Sequence, residues 1–176
     1  MEGFKLVKPS ADYLDEIRAY RKEFDGCLDW MHGSGGLMNI EDAEKWLEHL
    51  RLCENQETVP DGKPASSQFI YVRESDGKIV GMINVRHWHI ERLSTFGGYV
   101  GYSVCPSERK KGYATAMLKE VLPHCREIGL ENVLLTVGLE NTGSRRTILA
   151  NGGVYEGTVI SPKHNIPVER YWINIK

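Results

Sequence analysis

Residues 109–114 read Arg-Lys-Lys-Gly-Tyr-Ala, three bases running into a glycine and then into residues at helical spacing. The pattern points to anion binding. Backbone N–H groups in the first turn of a helix lack internal partners and stand at the positive end of the helix dipole. Gly112 removes the Cβ that would hold a phosphate at a distance, and Arg109, Lys110 and Lys111 add charge-assisted bonds at the rim. The run is neither G-x-x-x-x-G-K-[ST] nor G-x-G-x-x-G, so it is not one of the familiar nucleotide loops. A solvated basic turn is the alternative reading of the same letters.

Other residues suit proton transfer and amine binding. His87 and His89, in Arg86-His87-Trp88-His89, carry imidazoles poised near neutral pH, and strand alternation would place both on one face. Surface or packing histidines are the plain alternative, and Glu91 and Glu140 are further carboxylates able to act as bases. The stretch CLDWMHGSGG, residues 27–36, contains Asp29, Trp30 and His32, which would offer a cationic amine negative charge and an aromatic wall. Gly33, Gly35 and Gly36 break any period, so an irregular loop over residues 25–38, able to close over a ligand, is predicted.

These groups need a strand before the basic run and a helix after it, and the patterning supplies both. Residues 99–104 read as a strand ending at Pro106, and Ala114, Met117, Leu118, Val121, Leu122 and Cys125 fall at helical spacing. Pro123 sits inside that spacing and should kink or shorten the helix, because it cannot donate back to Lys119. Earlier, residues 4–7 read as a strand, residues 11–24 as a helix capped by Ser10, and residues 41–53 as a helix capped by Asn39. Residues 69–73 and 79–85 flank Asp76-Gly77 as a hairpin. Downstream come a strand over 133–137, a helix over 142–150 stopped by Asn151-Gly152-Gly153, and strands over 154–160 and 170–175. The predicted order is β-α-α-β-β-β-α-β-α-β-β.

Composition sets the frame. At 176 residues one domain spanning 1–176 is expected, and 41% apolar with 26% charged residues excludes disordered, fibrous and coiled-coil classes. A formal net charge of −2 gives no general pull toward nucleic acid, so any anion site is local. Cys27, Cys53, Cys105 and Cys125 lack C-x-x-C spacing, which argues against a metal site or a disulfide framework. The start, Met-Glu-Gly-Phe-Lys, lacks the apolar core of a signal peptide, and no apolar run approaches the roughly 18 residues of a membrane span. A cytoplasmic protein with no membrane partner is expected.

The run Arg109 to Ala114 resembles the R/Q-x-x-G-x-G/A signature of the GNAT N-acetyltransferase superfamily, and it follows Val104-Cys105-Pro106, similar to that family's V-x-P strand end. Downstream, residues 133–137 followed by Glu140-Asn141-Thr142-Gly143-Ser144 resemble the family's fifth strand and its N-x-x-S/A segment, and the element order agrees over essentially the whole chain. The resemblance implies an α/β fold of the α+β kind. It has a mixed, mostly antiparallel central sheet of about six to seven strands, flanked by about four helices. It also implies acetyl-CoA as cosubstrate, no metal, and a small-molecule or peptide amine as acceptor, with a homodimer as a possible assembly. Main-chain amides from Arg109 through Lys110, Lys111, Gly112, Tyr113 and Ala114 to Thr115 would hold the coenzyme A diphosphate. Ser103 and Val104 would pair with the pantetheine arm and offer an N–H to the thioester oxygen, while Asn141 and Ser144 would contact the arm from the following helix. Asn141 as a simple helix cap and Ser144 as a first-turn polar residue are the alternatives.

The chain also departs from the family pattern. Many members carry a tyrosine acid four residues beyond the Ser/Ala, where this chain has Ile148, and a glutamate on the fourth strand, where residues 99–104 hold no carboxylate. His87, His89 and Tyr102 are therefore the candidate catalytic residues, with Asp29, Trp30 and His32 on the acceptor side. A coenzyme-binding regulatory module without turnover is the alternative. A nucleic-acid contact through Arg109 to Lys111 is a third reading, opposed by the overall charge.

Overall fold

The computed structural model describes residues 3–88, 97–161 and 165–176. Among these, β1 (Phe4–Val7), β2 (Ser66–Arg73), β3 (Ile79–Arg86) and β4 (Val100–Val104) form an antiparallel sheet in that spatial order. A second antiparallel sheet has the order β5 (Asn132–Gly138), β7 (Ile166–Asn174), β6 (Val154–Ser161). Four α-helices accompany them among the described residues: α1 (Leu14–Lys22), α2 (Ala43–Cys53), α3 (Tyr113–Glu127) and α4 (Thr142–Ala150). The seven strands, four helices and their order match the expected architecture. The one sheet anticipated is two, and every ladder within them is antiparallel.

Two apolar clusters explain why β2 and β3 read as nearly continuous hydrophobic runs. On one face Tyr71, Val80, Ile83 and Val85 meet Met117, Leu118, Val121 and Cys125 of α3 and Ile148 of α4. On the other, Ile70, Val72 and Met82 meet Ile17 and Tyr20 of α1 and Trp46, Leu47 and Leu50 of α2. Strands covered on both sides lose the polar alternation of a half-exposed sheet.

Several element ends differ from expectation for local reasons. Residues 11–13 form a 3₁₀ turn before α1 begins, and α2 starts at Ala43 because Asp42, not Asn39, caps it by accepting from Lys45 N at 3.0 Å. Helix α3 runs through Pro123 to Glu127 without shortening. Pro123 and Lys119 both face solvent, so the carbonyl left without a donor can be hydrated while Leu118, Val121 and Cys125 hold the opposite face.

The sheets meet where β4 begins. Tyr99 N donates to Leu134 O at 2.8 Å, and Gly98 lies so close to β5 that a Cβ there would stand 2.6 Å from Leu134 O. Beyond this point, among the described residues, β4 and β5 form no ladder and one edge of β4 is open.

Candidate active site

The basic run lies at the end of β4. Pro106–Glu108 make a 3₁₀ turn, Lys110 adopts a left-handed conformation at φ 64°, and Gly112 does so at φ 86° as the N-cap of α3. None of the backbone N–H groups from Arg109 to Thr115 has an acceptor among the described residues, and the first turn of α3 carries no acidic side chain. A Cβ at Gly112 would meet nothing within 4 Å, so the space in front of these donors is open. Such a row of free amides at the start of a 15-residue helix is an anion cradle.

The three bases divide their work. Lys111 Nζ is 2.7 Å from Glu108 Oε2, and Arg109 pairs with Asp29 while also donating to Val104 O at 3.3 Å. Lys110 has no ion pair among the described residues, so its charge alone is uncommitted. Tyr113 turns its ring into the core beside Phe4, 4.9 Å between centroids, leaving its amide outside.

Ladder parity decides which β4 amides face the gap. Arg86 N donates to Tyr99 O at 2.8 Å and Cys105 N to Val80 O at 2.9 Å, and the register between them is unbroken. In an antiparallel pair such positions alternate, so residues 101, 103 and 105 direct their backbone polar groups to β3, as Tyr99 does its carbonyl. Tyr102 and Val104 direct theirs to the open edge. Of the two residues expected at the thioester, Val104 therefore has its amide in the gap and Ser103 does not. The carbonyl and hydroxyl of Ser103 also meet the buried Tyr20 hydroxyl, at 3.1 and 3.0 Å. Sequence reasoning missed the Tyr102 backbone because parity is fixed by the partner strand, which the letters of β4 do not encode.

The Tyr102 side chain crosses to α4, where its hydroxyl lies 2.7 Å from Ser144 Oγ. Burial pushes this phenol up to about 12, against the opposing pull of Ser144 and Thr147, so it keeps its proton at neutral pH. Asn141 caps α4 by accepting from Ser144 N at 3.0 Å, and its Nδ2 has no acceptor among the described residues. One carboxamide thus fixes the helix start and leaves a donor pointing out. Thr115 of α3 approaches Thr147 of α4, 3.4 Å between hydroxyl oxygens, which ties α3 to the helix that carries Ser144.

A sequence profile described as the Acetyltransferase (GNAT) family matches residues 28–152, well over half of the 176-residue chain. The chain belongs to this family. Among solved structures, ribosomal-protein-S5-alanine acetyltransferase from Vibrio fischeri is similar at TM-score 0.74 and 16% identity, over 100% of this chain and 95% of that one. Mycobacterium smegmatis RimJ, solved with CoA-disulfide, gives TM-score 0.70 and 22% identity, over 97% and 81%. A spermidine N-acetyltransferase SpeG chimera from Vibrio cholerae and hSSAT gives 0.65 and 16%, over 98% and 95%. At these identities the likeness is one of fold. A comparison with curated proteins finds no match.

Ile148, at the position four beyond Ser144, is fully buried in the core. His87 follows the end of β3 that adjoins the start of β4, roughly 20 Å along an extended strand from Val104. Its Nε2 meets Ser67 Oγ at 2.8 Å and its ring packs 6.5 Å from His124, with burial and then His124 lowering its pKa. His87 is thus packed against Ser67 and His124. β3 ends at Arg86. His89 and Glu91 lie outside the described residues.

The loop of residues 25–38 is fastened down rather than hanging over the gap. Gly33 packs on β4 so closely that a Cβ would stand 2.0 Å from Gly101 O, Gly33 O accepts from Gln68 at 2.8 Å, and Ser34 O accepts from Trp46 Nε1 at 2.9 Å. Gly33 has φ 67°, so contact and conformation both exclude a side chain there. His32 is reached by solvent, but the protein around its ring and then Arg86 lower its pKa. Trp30 is exposed, with no ring partner among the described residues. Asp29, expected beside an acceptor amine, instead holds Arg109. The three residues expected on the acceptor side thus share one loop, with Asp29 paired to Arg109 of the basic run.

Proposed function

We propose that this chain is a single-domain N-acetyltransferase using acetyl-CoA and a primary amine. The observation that carries this reading is the alignment of the free amides of residues 109–115 with the open edge of β4. They form two groups of donors, one along the β4 edge and one at the start of α3, separated by residues 105–108 whose amides are bonded within the protein or, at Pro106, missing, and the pair suits an extended molecule with a diphosphate at one end. The cosubstrate supplies an acetyl group activated as a thioester. The amides of Arg109 to Thr115 and the Lys110 charge hold the diphosphate, Val104 and Asn141 orient the arm, and an open-edge amide of Val104 or Tyr102 polarises the acetyl oxygen. The Tyr102 phenol, protonated at neutral pH and beside Ser144, supports the departing sulfur with a hydrogen bond. An aliphatic amine as acceptor is supported by the names of two similar structures, a ribosomal-protein-S5-alanine acetyltransferase and a spermidine N-acetyltransferase chimera.

The second reading, a coenzyme-binding module without turnover, rests on Ile148 being buried where a family tyrosine would stand. One assay separates the two. Purified protein is titrated with acetyl-CoA and then mixed with a panel of diamines, polyamines and N-terminal peptides while free thiol is followed. Amine-dependent thiol release supports the enzyme, tight binding without release from any amine supports the module, and no binding sinks both.

Asp29 gives a smaller test. Its carboxylate competes with an incoming diphosphate for Arg109. Asp29→Asn should tighten acetyl-CoA binding about two- to fivefold at low salt, the worth of an exposed ion pair of ~0.5–1 kcal/mol, with the gain shrinking as salt rises. Calorimetric titration at two salt concentrations checks it, and weaker binding would show that Asp29 helps rather than competes.

A further inference from the structure

Beneath the diphosphate loop lies a charge cluster that the proposed chemistry does not use. Glu108 is buried, 6% exposed, in a segment whose neighbours are solvated. Its Oε2 accepts from Arg73 Nη1 at 3.1 Å and Lys111 Nζ at 2.7 Å, and its Oε1 lies 3.3 Å from Lys78 Nζ. Arg73 ends β2, Lys78 precedes β3, and Lys111 belongs to the loop itself. One carboxylate therefore joins the loop to both sides of the β2–β3 turn. Glu23, at the end of α1, completes the brace by accepting from Ser107 N at 3.1 Å, Ser107 Oγ at 3.0 Å and Lys78 Nζ at 2.9 Å. The bond from Lys111, then those from Arg73 and Lys78, lower the Glu108 carboxyl to about 2, so it stays charged across the physiological range.

The loop needs holding. Lys110 has φ 64° without being glycine, a conformation costing roughly 1–2 kcal/mol that persists only where the surroundings impose it. Charges in the cluster balance, Arg73, Lys78 and Lys111 against Glu108, Glu23 and Asp76, so it adds no net positive charge for an anion. A buried carboxylate with three cations is a poor choice for stability alone, since apolar residues of like volume often serve as well. What it supplies is a fixed geometry.

We infer that Glu108 is a positioning residue for cosubstrate binding, with Lys111 as its pin, so that Lys111 aims the loop amides instead of binding phosphate itself. This rests on the reading that residues 109–115 hold the coenzyme A diphosphate. The sign of one effect separates the idea from simple electrostatics. Removing a negative charge beneath an anion site should strengthen anion binding if charge were all that mattered. If aim matters, binding weakens.

The test compares wild type, Glu108→Gln, Lys111→Met, the double variant and Gly112→Glu. Acetyl-CoA affinity is measured by calorimetry, and turnover is followed with S-acetylpantetheine, which lacks the diphosphate. Glu108→Gln should weaken acetyl-CoA on the order of 10- to 100-fold, the loss of one or two well-aimed bonds to a charged group, with S-acetylpantetheine turnover within about twofold. Lys111→Met, at an exposed residue that leaves folding intact, should weaken binding similarly, and the double variant should be little worse than either single one. Unchanged or tighter binding in Glu108→Gln or Lys111→Met, with binding lost in Gly112→Glu, overturns the inference and leaves the site reading intact. Full affinity in Gly112→Glu removes the site reading and this inference with it. Equal loss toward both probes marks Glu108 as a stability residue only.

Discussion

Gly112→Glu should abolish measurable acetyl-CoA binding, raising Kd by at least about 100-fold. Two effects combine. A non-glycine residue at φ 86° costs roughly 1–2 kcal/mol, and the loop relieves that by turning its amides away from the site. The added carboxylate also stands where the diphosphate would lie, and like charges about 4 Å apart repel by ~1 kcal/mol in bulk water and ~4 kcal/mol near a protein surface. Nothing lies within 4 Å of the new Cβ, so the fold should lose no more than the backbone strain. Gly112→Ala, which carries only that strain, should fall between the two. Titration calorimetry beside a melting curve decides the matter: a glutamate variant that binds as tightly as wild type would move the diphosphate elsewhere.

The second large effect is expected at Tyr102. Tyr102→Phe should lower kcat about 10- to 100-fold, the worth of a hydrogen bond to a group becoming charged, while leaving KM for acetyl-CoA within about threefold. With the phenol pushed up to about 12, far above a thiol near about 8.5, full proton transfer to the sulfur is uphill, so the benefit is a bond donated to it. The sign of the pH dependence follows. This proton is present below its raised pKa and lost only on rising through it, so wild-type turnover should show no fall from this group between about pH 7 and 10. Stopped thiol release in both variants measures it. A phenylalanine enzyme with unaltered kcat would leave Tyr102 as packing against α4.

Much of the architecture was legible in the letters because its signals are local. The period of α3, the alternation broken by Asp76-Gly77, and the glycine after three bases each report on neighbours a few residues away. The order of elements and the place of the cradle follow from them. What escaped depends on partners far along the chain. Ser103 and Val104 look equivalent until β3 sets the parity, and Asp29 looks like an amine ligand until Arg109, 80 residues later, proves to be its neighbour. Lys111 reads as one of three bases, yet Glu108, itself held by Arg73 and Lys78, claims it. His87 reads in the letters as an imidazole suited to a base, but they do not show that Ser67 and His124 enclose it or that burial lowers its pKa. Chemistry of side chains is written in sequence, whereas their company is decided by the fold.

The free side of β4 has one more meaning. A strand with vacant donors and acceptors is an invitation to any other extended chain, the usual starting point of unwanted association. Here the vacancy is short and sits at the foot of a wedge between two sheets, where a slender linear guest enters more easily than a side-chain-bearing strand. The pantetheine arm would then act as the missing strand, sealing the wedge each time the cosubstrate docks. Protection of residues 100–104 from proteolysis or hydrogen exchange would rise and fall with occupancy, making the tidiness of the sheet a gauge of the catalytic cycle.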